Sequence, residues 1–158
     1  NLFVDKTEMT NFGWLEYMYW TEKVYGKESE IYKACLPDKN LWLNEDSCFY
    51  SYIDNYLEHP VFLAHHNYRY RPIIGITQKQ AIEYCKWRSD RVFEILLIQK
   101  GILQHTPNQN ECDYFSIENY FNGEYWNIKP DTNFKYIPNY RLPTEPLLQG
   151  LFCFLQHV

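Results

Sequence analysis

The stretch from Thr77 to Gly101 constrains the fold more than any other part of this sequence. Thr77 followed three positions later by Gln80 is a capping-box pattern, in which each side chain accepts a hydrogen bond from a backbone N–H at a helix start. Apolar residues then recur at helical spacing until Gly101, a typical stop signal. This apolar face comprises Ala81, Ile82, Cys85, Val92, Phe93, Leu96 and Leu97. The pattern predicts one long amphipathic helix that packs against the rest of the chain.

Three shorter helices are predicted from their capping residues. Thr10 or Asn11 can cap a helix that reaches about Val24, because both side chains can accept a hydrogen bond from the first turn. A second helix is expected from Ser29 to about Leu36, and a third is expected after Ser116. Together with the long helix, these elements account for the periodic parts of the sequence.

Two segments are predicted to be β-strands. Residues 2–10, "LFVDKTEMT", alternate apolar and polar side chains, as a half-buried strand does. Residues 73–76, "IIGI", form a short apolar run of the kind found in buried strands. Residues 38–60 and 103–145 lack clear periodicity and are expected to be irregular. At 158 residues the chain is predicted to form a single domain over 1–158.

The aromatic content favours a fold with many loops. Aromatic residues make up 19% of the chain, and 15 of them are Tyr. A tyrosine hydroxyl needs water or a hydrogen-bond partner when its ring is buried. We therefore expect a fold with many loops and much half-buried surface rather than a plain helical bundle.

Charge is distributed unevenly along the chain. The net charge of -5 argues against a dedicated nucleic-acid-binding protein. Between residues 68 and 91, however, only Glu83 and Asp90 oppose six basic residues, namely Arg69, Arg71, Lys79, Lys86, Arg88 and Arg91. This segment is either a solvated helix face with its lead-in or a docking surface for an acidic partner. The candidate partner contacts are Tyr68, Arg69, Tyr70, Arg71 and Arg88.

The cysteine spacing argues against a zinc knuckle or a thioredoxin-like site. The chain has 5 cysteines and no Cys-x-x-Cys pair. Cys85 lies on the apolar face of the long predicted helix, two turns from its start. We expect this thiol to be buried and unreactive, because burial raises a thiol pKa.

No metal or other cofactor is predicted. The remaining candidate ligands are Cys48, His59, His65 and His66. Adjacent histidines in a loop rarely converge on one ion, and no His-x-x-x-His spacing is present. The oxygen-rich segments 44–47 and 108–113 lack the spacing and central glycine of an EF-hand. No apolar run approaches the roughly 20 residues of a membrane span.

Several short motifs, taken in order, resemble the signature of the formylglycine-generating-enzyme family, also called the sulfatase-modifying-factor domain. They are "PIIGIT" at 72–77, Ala81, "YCKW" at 84–87 and "RLPTE" at 141–145. The opening "FVDKTEMTN" at 3–11 is similar to the N-terminal strand and turn of that family. The resemblance spans about residues 2–145 and implies the loop-rich, C-type-lectin-like α+β fold.

A finer resemblance concerns residues 90–103, "DRVFEILLIQKGIL", and 107–126, "PNQNECDYFSIENYFNGEYW". Both are similar to segments of gliding-motility and type IX secretion lipoproteins of Bacteroidetes-type bacteria. This implies a non-catalytic structural or protein-interaction module in the periplasm or outer membrane. Its partners would be other envelope proteins, and it would reach the membrane only through a lipid anchor outside this chain.

The sequence departs from the family at two places. Gln78 stands where the family usually has Trp, and "PLLQGLFCFLQHV" at 146–158 replaces the usual Ala-Glu-Trp-Glu. The catalytic cysteine pair and calcium loops of the family lie downstream of the Arg-Leu-Pro-Thr-Glu motif, and this chain ends 13 residues after Glu145. The resemblance therefore implies no catalytic residue here, and an N-terminal part or shortened form of the domain.

Two alternative functions stay open at this point. One is a degenerate or incomplete formylglycine-generating oxidase that activates sulfatases, and the other is a ligand-binding lectin-like domain. The apolar tail is expected to pack against the domain or against a second copy of the chain, since an exposed patch of this kind promotes association. The tail residues concerned are Leu148, Leu151, Phe152 and Leu155.

Overall fold

The computed structural model describes residues 4–5, 7–38, 68–126, 128–131 and 133–146. These ranges contain four helices: α1 (Asn11–Tyr25), α2 (Glu30–Cys35), α3 (Gln78–Gln99) and α4 (Ile117–Phe121). In the same ranges, pairing between extended segments is limited to two isolated antiparallel bridges, Thr10 with Pro72 and Asn110 with Asp113. The expected α+β, C-type-lectin-like fold is therefore wrong, because the described part of the chain is mainly helical and has no sheet.

Both predicted strands are wrong within the described residues. Gly75 has a φ of 73°, which interrupts extended geometry in the middle of residues 73–76. The isoleucines of this segment pack against an aromatic cluster, so the run is apolar because of packing. In the earlier segment, residues 4–5 and 7–9 form no strand, and Thr10 contributes only its bridge to Pro72. An apolar or alternating run forms a strand only where a neighbouring strand pairs with it.

The helix starts agree with the predictions. The side chains of Thr10, Ser29 and Ser116 each accept a hydrogen bond from the backbone of the first turn. The capping box at α3 is complete: the N–H of Gln80 donates to the Thr77 hydroxyl at 3.2 Å, and the N–H of Thr77 donates to the Gln80 side chain at 2.7 Å. These caps act over three residues, which explains why the sequence predicts them.

The first of two apolar clusters lies where α1, α2 and the start of α3 meet. Its buried members are Trp14, Tyr17, Met18, Tyr32, Cys35 and Tyr84. The ring of Trp14 stacks on Tyr84 with centroids 5.5 Å apart. Its indole N–H donates to the carbonyl of Cys35 at 3.0 Å. Trp14 thereby joins all three helices.

The second cluster surrounds the C-terminal half of α3. Its buried members are Phe93, Leu97, Leu103, Phe115, Tyr120 and Tyr125. Tyr84 and Phe93 are nine positions apart, which at 3.6 residues per turn places them on opposite faces of α3. The helix therefore buries different faces along its length. The single apolar face predicted from the sequence is wrong in this respect, and its member Ile82 is exposed.

Buried tyrosines find their partners inside this helical structure. The hydroxyl of Tyr120 accepts a hydrogen bond from the backbone N–H of Asp131 at 2.9 Å. Tyr17 and Tyr84 are also buried, with their rings packed in the first cluster. The high tyrosine content therefore does not require a sheet, and the composition argument against a helical fold is wrong for this reason.

Helix α3 also carries a buried ion pair. The guanidinium of Arg91 lies 2.9 Å from the carboxylate of Glu94, and their side chains are 14% and 12% exposed. Arg91 also donates to the Gln109 side chain at 3.0 Å and to the carbonyl of Phe115. Burial raises the pKa of Glu94 and lowers the pKa of Arg91, although each charge favours the ionised form of the other. Keeping both charges of this pair away from water therefore costs desolvation free energy.

Candidate functional site

The turn at residues 68–71 is docked on the start of α1. The backbone N–H of Asn11 donates to the carbonyl of Arg71 at 2.9 Å, and the N–H of Phe12 donates to the carbonyl of Arg69 at 2.8 Å. The side-chain amide of Asn11 donates to the carbonyl of Tyr68 at 2.9 Å. Backbone N–H groups in the first turn of a helix have no partner within that helix. The turn supplies these partners, and its backbone is fixed as a result.

Tyr70 and Arg71 of this turn are exposed and form a surface with Phe12, beside the half-buried Tyr68 and Arg69. Tyr70 is 67% exposed and Phe12 is 45% exposed, and their ring centroids are 6.5 Å apart. The guanidinium of Arg69 lies 4.5 Å from the centre of the Tyr70 ring, and that of Arg71 lies 5.1 Å from the Tyr68 ring. We call this surface the aromatic–basic edge; its residues are Phe12, Tyr68, Arg69, Tyr70 and Arg71.

Arg88, the fifth residue predicted as a partner contact, has a different setting. Its guanidinium approaches the two carboxylate oxygens of Asp5 at 2.8 and 3.4 Å. It also lies 4.5 Å from the centre of the Tyr140 ring. The structure therefore brings four of the five predicted contacts together on one turn. It holds Arg88 on α3, in contacts with other parts of the chain.

A cavity of about 390 Å³ lies between the segment that leads into α1 and one side of α3. Phe12 lines it and also belongs to the aromatic–basic edge, so the two features are adjacent. Apolar atoms of Met9, Tyr84, Trp87 and Val92 contribute to its wall. Its charged lining residues are Asp5, Glu8, Glu16, Arg88 and Arg91.

Sequence reasoning did not find this cavity. Its two walls come from residues 5–16 and 84–92, which are far apart in the chain. The only local signal is the spacing of Phe12 and Glu16, which lie four positions apart on one face of α1 and are both exposed. That spacing does not show that residues 84–92 form the other wall of the cavity.

The described cysteines differ in environment. Cys35 is buried, and this burial raises the pKa of its thiol to about 11. Burial also raises the pKa of Cys85, although nearby Arg88 opposes the rise. Cys85 is only half-buried, so its predicted burial is wrong; in this half of α3 it is the preceding residue, Tyr84, that is buried in the first cluster. Cys112 is exposed, and all three are free thiols.

We expect these three thiols to react with iodoacetamide at pH 8 in the order Cys112, then Cys85, then Cys35. The thiolate is the reactive form, and both burial and a raised pKa reduce its availability. Peptide mapping by mass spectrometry after short exposures of the folded chain would give the three rates separately. Labelling in denaturant, where the three rates should converge, is the control. A native rate for Cys35 equal to that of Cys112 would contradict the assignment.

The other sequence-based expectations concern metals, the membrane and the tail. Within the described ranges, no group of three or more His, Cys, Asp or Glu side chains is arranged to hold a metal ion. Cys48, His59, His65 and His66 lie outside those ranges, as do the tail residues from 147 onward. No helix in the described part of the chain is long and apolar enough to cross a membrane.

Comparison of the chain with protein-family models, with curated proteins and with solved structures finds no match. The resemblance to the formylglycine-generating-enzyme family therefore stays a prediction from the sequence motifs.

Proposed function

We propose that this chain is a non-catalytic protein-interaction module of the bacterial cell envelope that binds an acidic partner through the aromatic–basic edge. The observation that carries the proposal is the exposure of Tyr70, on a turn whose backbone is fixed, beside the exposed Phe12 of α1. Aromatic and arginine side chains are enriched in protein interfaces and at binding hot spots. A surface that is ordered before binding loses less conformational entropy on association.

Electrostatics supports an acidic partner. Arg69 forms no ion pair with any carboxylate in the described part of the chain. Its stacking on Tyr70 holds the guanidinium beside the exposed ring. A carboxylate of the partner could form a charge-assisted hydrogen bond there while an apolar group contacts Tyr70 and Phe12.

The envelope location is proposed on the sequence motifs that resemble gliding-motility and type IX secretion lipoproteins. The fold expected from that resemblance is not seen in the described residues, so the location is supported by the motifs alone. On this proposal the partners are other envelope proteins in the periplasm or outer membrane, and a lipid anchor outside this chain provides the link to the membrane.

The chemistry of the described thiols supports a binding role over an oxidase. A formylglycine-generating oxidase requires a pair of reactive cysteines. Burial raises the pKa of both Cys35 and Cys85, which leaves Cys112 as the one exposed thiol of the described residues. We therefore expect no aldehyde above background when the chain is incubated with a sulfatase-motif peptide, oxygen and copper or calcium. Aldehyde formation by the purified chain would contradict the non-catalytic assignment.

Replacing Arg69 by Glu and Tyr70 by Ser should reduce capture of partner proteins from a cell-envelope fraction by about tenfold or more, as expected for loss of an interface hot spot. Capture by the immobilised chain would be quantified by mass spectrometry. The matched control is Lys135→Glu with Tyr136→Ser. These are also consecutive residues with a cation 5.3 Å from the ring centre, and Tyr136 is 64% exposed.

The control separates a specific surface from a general effect of charge reversal. The captured proteins should be retained by the Lys135→Glu, Tyr136→Ser variant and lost by the Arg69→Glu, Tyr70→Ser variant. If both variants capture the same proteins in the same amounts as the unmodified chain, the aromatic–basic edge is not the contact surface.

A further inference from the structure

We infer that the cavity beside the aromatic–basic edge receives a basic side chain of the protein partner, with its alkyl stem against the apolar wall and its cationic head near Glu8 and Glu16. This inference rests on the proposed function only in taking the ligand to be a protein. The partner segment would then carry a basic side chain for the cavity and an acidic group for Arg69, separated by the ring of Phe12.

The charged residues that line the cavity are not all paired with one another. Arg88 is paired with Asp5 at 2.8 Å, and Arg91 is paired with Glu94 at 2.9 Å. Neither Glu8 nor Glu16 has an ion-pair partner among the residues that the structure describes. Two carboxylates therefore remain without a countercharge, and they favour a cation.

Aromatic side chains form part of the cavity wall. Phe12, Tyr84 and Trp87 all line the cavity. Lys and Arg stems pack well on apolar surface while the charged head stays near water. A carboxylate ligand would approach the two glutamates with the wrong sign of charge.

The volume is also suitable. At about 390 Å³ the cavity falls within the range of roughly 300–1,000 Å³ typical of ligand pockets. It can accept one long side chain together with part of the backbone that carries it. Because Phe12 belongs to both features, a segment bound at the aromatic–basic edge can place a side chain here without crossing other surface.

The test is a titration of the full chain with Nα-acetyl-lysine methylamide. Binding is monitored by the chemical shift of the Trp87 indole N–H in the NMR spectrum. Trp87→Phe assigns that resonance. We expect a saturable shift, with binding at least about tenfold weaker for the norleucine analogue, which keeps an alkyl side chain but lacks the charge. The glutamate analogue should not bind. Glu8→Gln with Glu16→Gln should weaken lysine binding about tenfold or more, whereas Glu118→Gln on α4 should leave it unchanged.

Three outcomes would overturn the inference: no saturable shift with the lysine probe, equal affinity for the norleucine probe, or unchanged lysine affinity in the double glutamine variant. Both glutamates are exposed, so these substitutions should not disturb folding. The probe needs no partner protein, which separates this test from that of the proposed function. If the lysine probe binds but partner capture does not depend on the aromatic–basic edge, only the proposed function is contradicted. If capture depends on the edge but the lysine probe does not bind, only the inference about the cavity is contradicted.

Discussion

Replacing Phe93 by alanine should lower the free energy of unfolding by about 3–5 kcal/mol. Phe93 is fully buried in the second cluster. Its ring centroid lies 5.7 Å from that of Phe121 and 5.1 Å from that of Phe134. Alanine would leave a void that these rings could fill only in part, so the lost transfer energy and the cavity cost add. Urea unfolding followed by far-UV circular dichroism would measure the change.

Ile95→Ala is the matched control, since Ile95 lies two residues away on α3 and is exposed. Its cost should stay below about 1 kcal/mol. Tryptophan fluorescence, to which Trp14 of the first cluster contributes, should shift together with circular dichroism in Phe93→Ala, because α3 belongs to both clusters. A fluorescence transition that keeps its original midpoint would contradict the prediction of a single domain.

Replacing Arg91 by methionine should destabilise the chain by about 3–5 kcal/mol, the usual cost of breaking a buried ion pair. The substitution leaves the Glu94 carboxylate, with its side chain 12% exposed, without its cationic partner. It also removes the hydrogen bonds that Arg91 donates to Gln109 and Phe115. Chemical denaturation at neutral pH would measure the loss.

Arg88→Met is the control for this prediction. Arg88 lies three residues earlier on α3 and also pairs with a carboxylate, but the pair is partly exposed, so its loss should cost less than about 1 kcal/mol. The two variants should also differ in pH dependence. Burial already raises the pKa of Glu94, and loss of Arg91 should raise it further. The penalty of Arg91→Met should therefore shrink as the pH falls and Glu94 gains a proton. A penalty no larger than that of Arg88→Met, or one that grows in acid, would contradict the assignment.

The sequence by itself determined where the helices begin. The hydroxyls of Thr10 and Ser116 each accept a bond from an N–H three residues later, and Thr77 and Gln80 cap α3 within the same distance. Such interactions depend only on neighbours in the chain. They form in the same way whatever the helix later packs against.

The sequence could not determine which faces these helices bury. Tyr84 and Phe93 lie on opposite sides of α3 because α1 and α2 pack on one half of the helix and α4 on the other. When the apolar pattern of α3 is read over its whole length, its two buried faces are taken for a single face. The strand predicted at 73–76 is wrong for a related reason, since its apolar residues contact the first cluster and pair with no strand in the part of the chain that the structure describes.

The candidate site was found in part from the sequence and completed only by the tertiary structure. Tyr68 to Arg71 are neighbours in the chain, so their charge and aromatic content can be seen directly in the sequence. One of the hydrogen bonds that connect them to α1 runs from Asn11 to the carbonyl of Tyr68, 57 positions away. The pairing of Arg88 with Asp5 spans 83 positions. Contacts over such distances depend on how the helices pack, so only the folded chain decides which charges are neutralised and which remain to bind a partner.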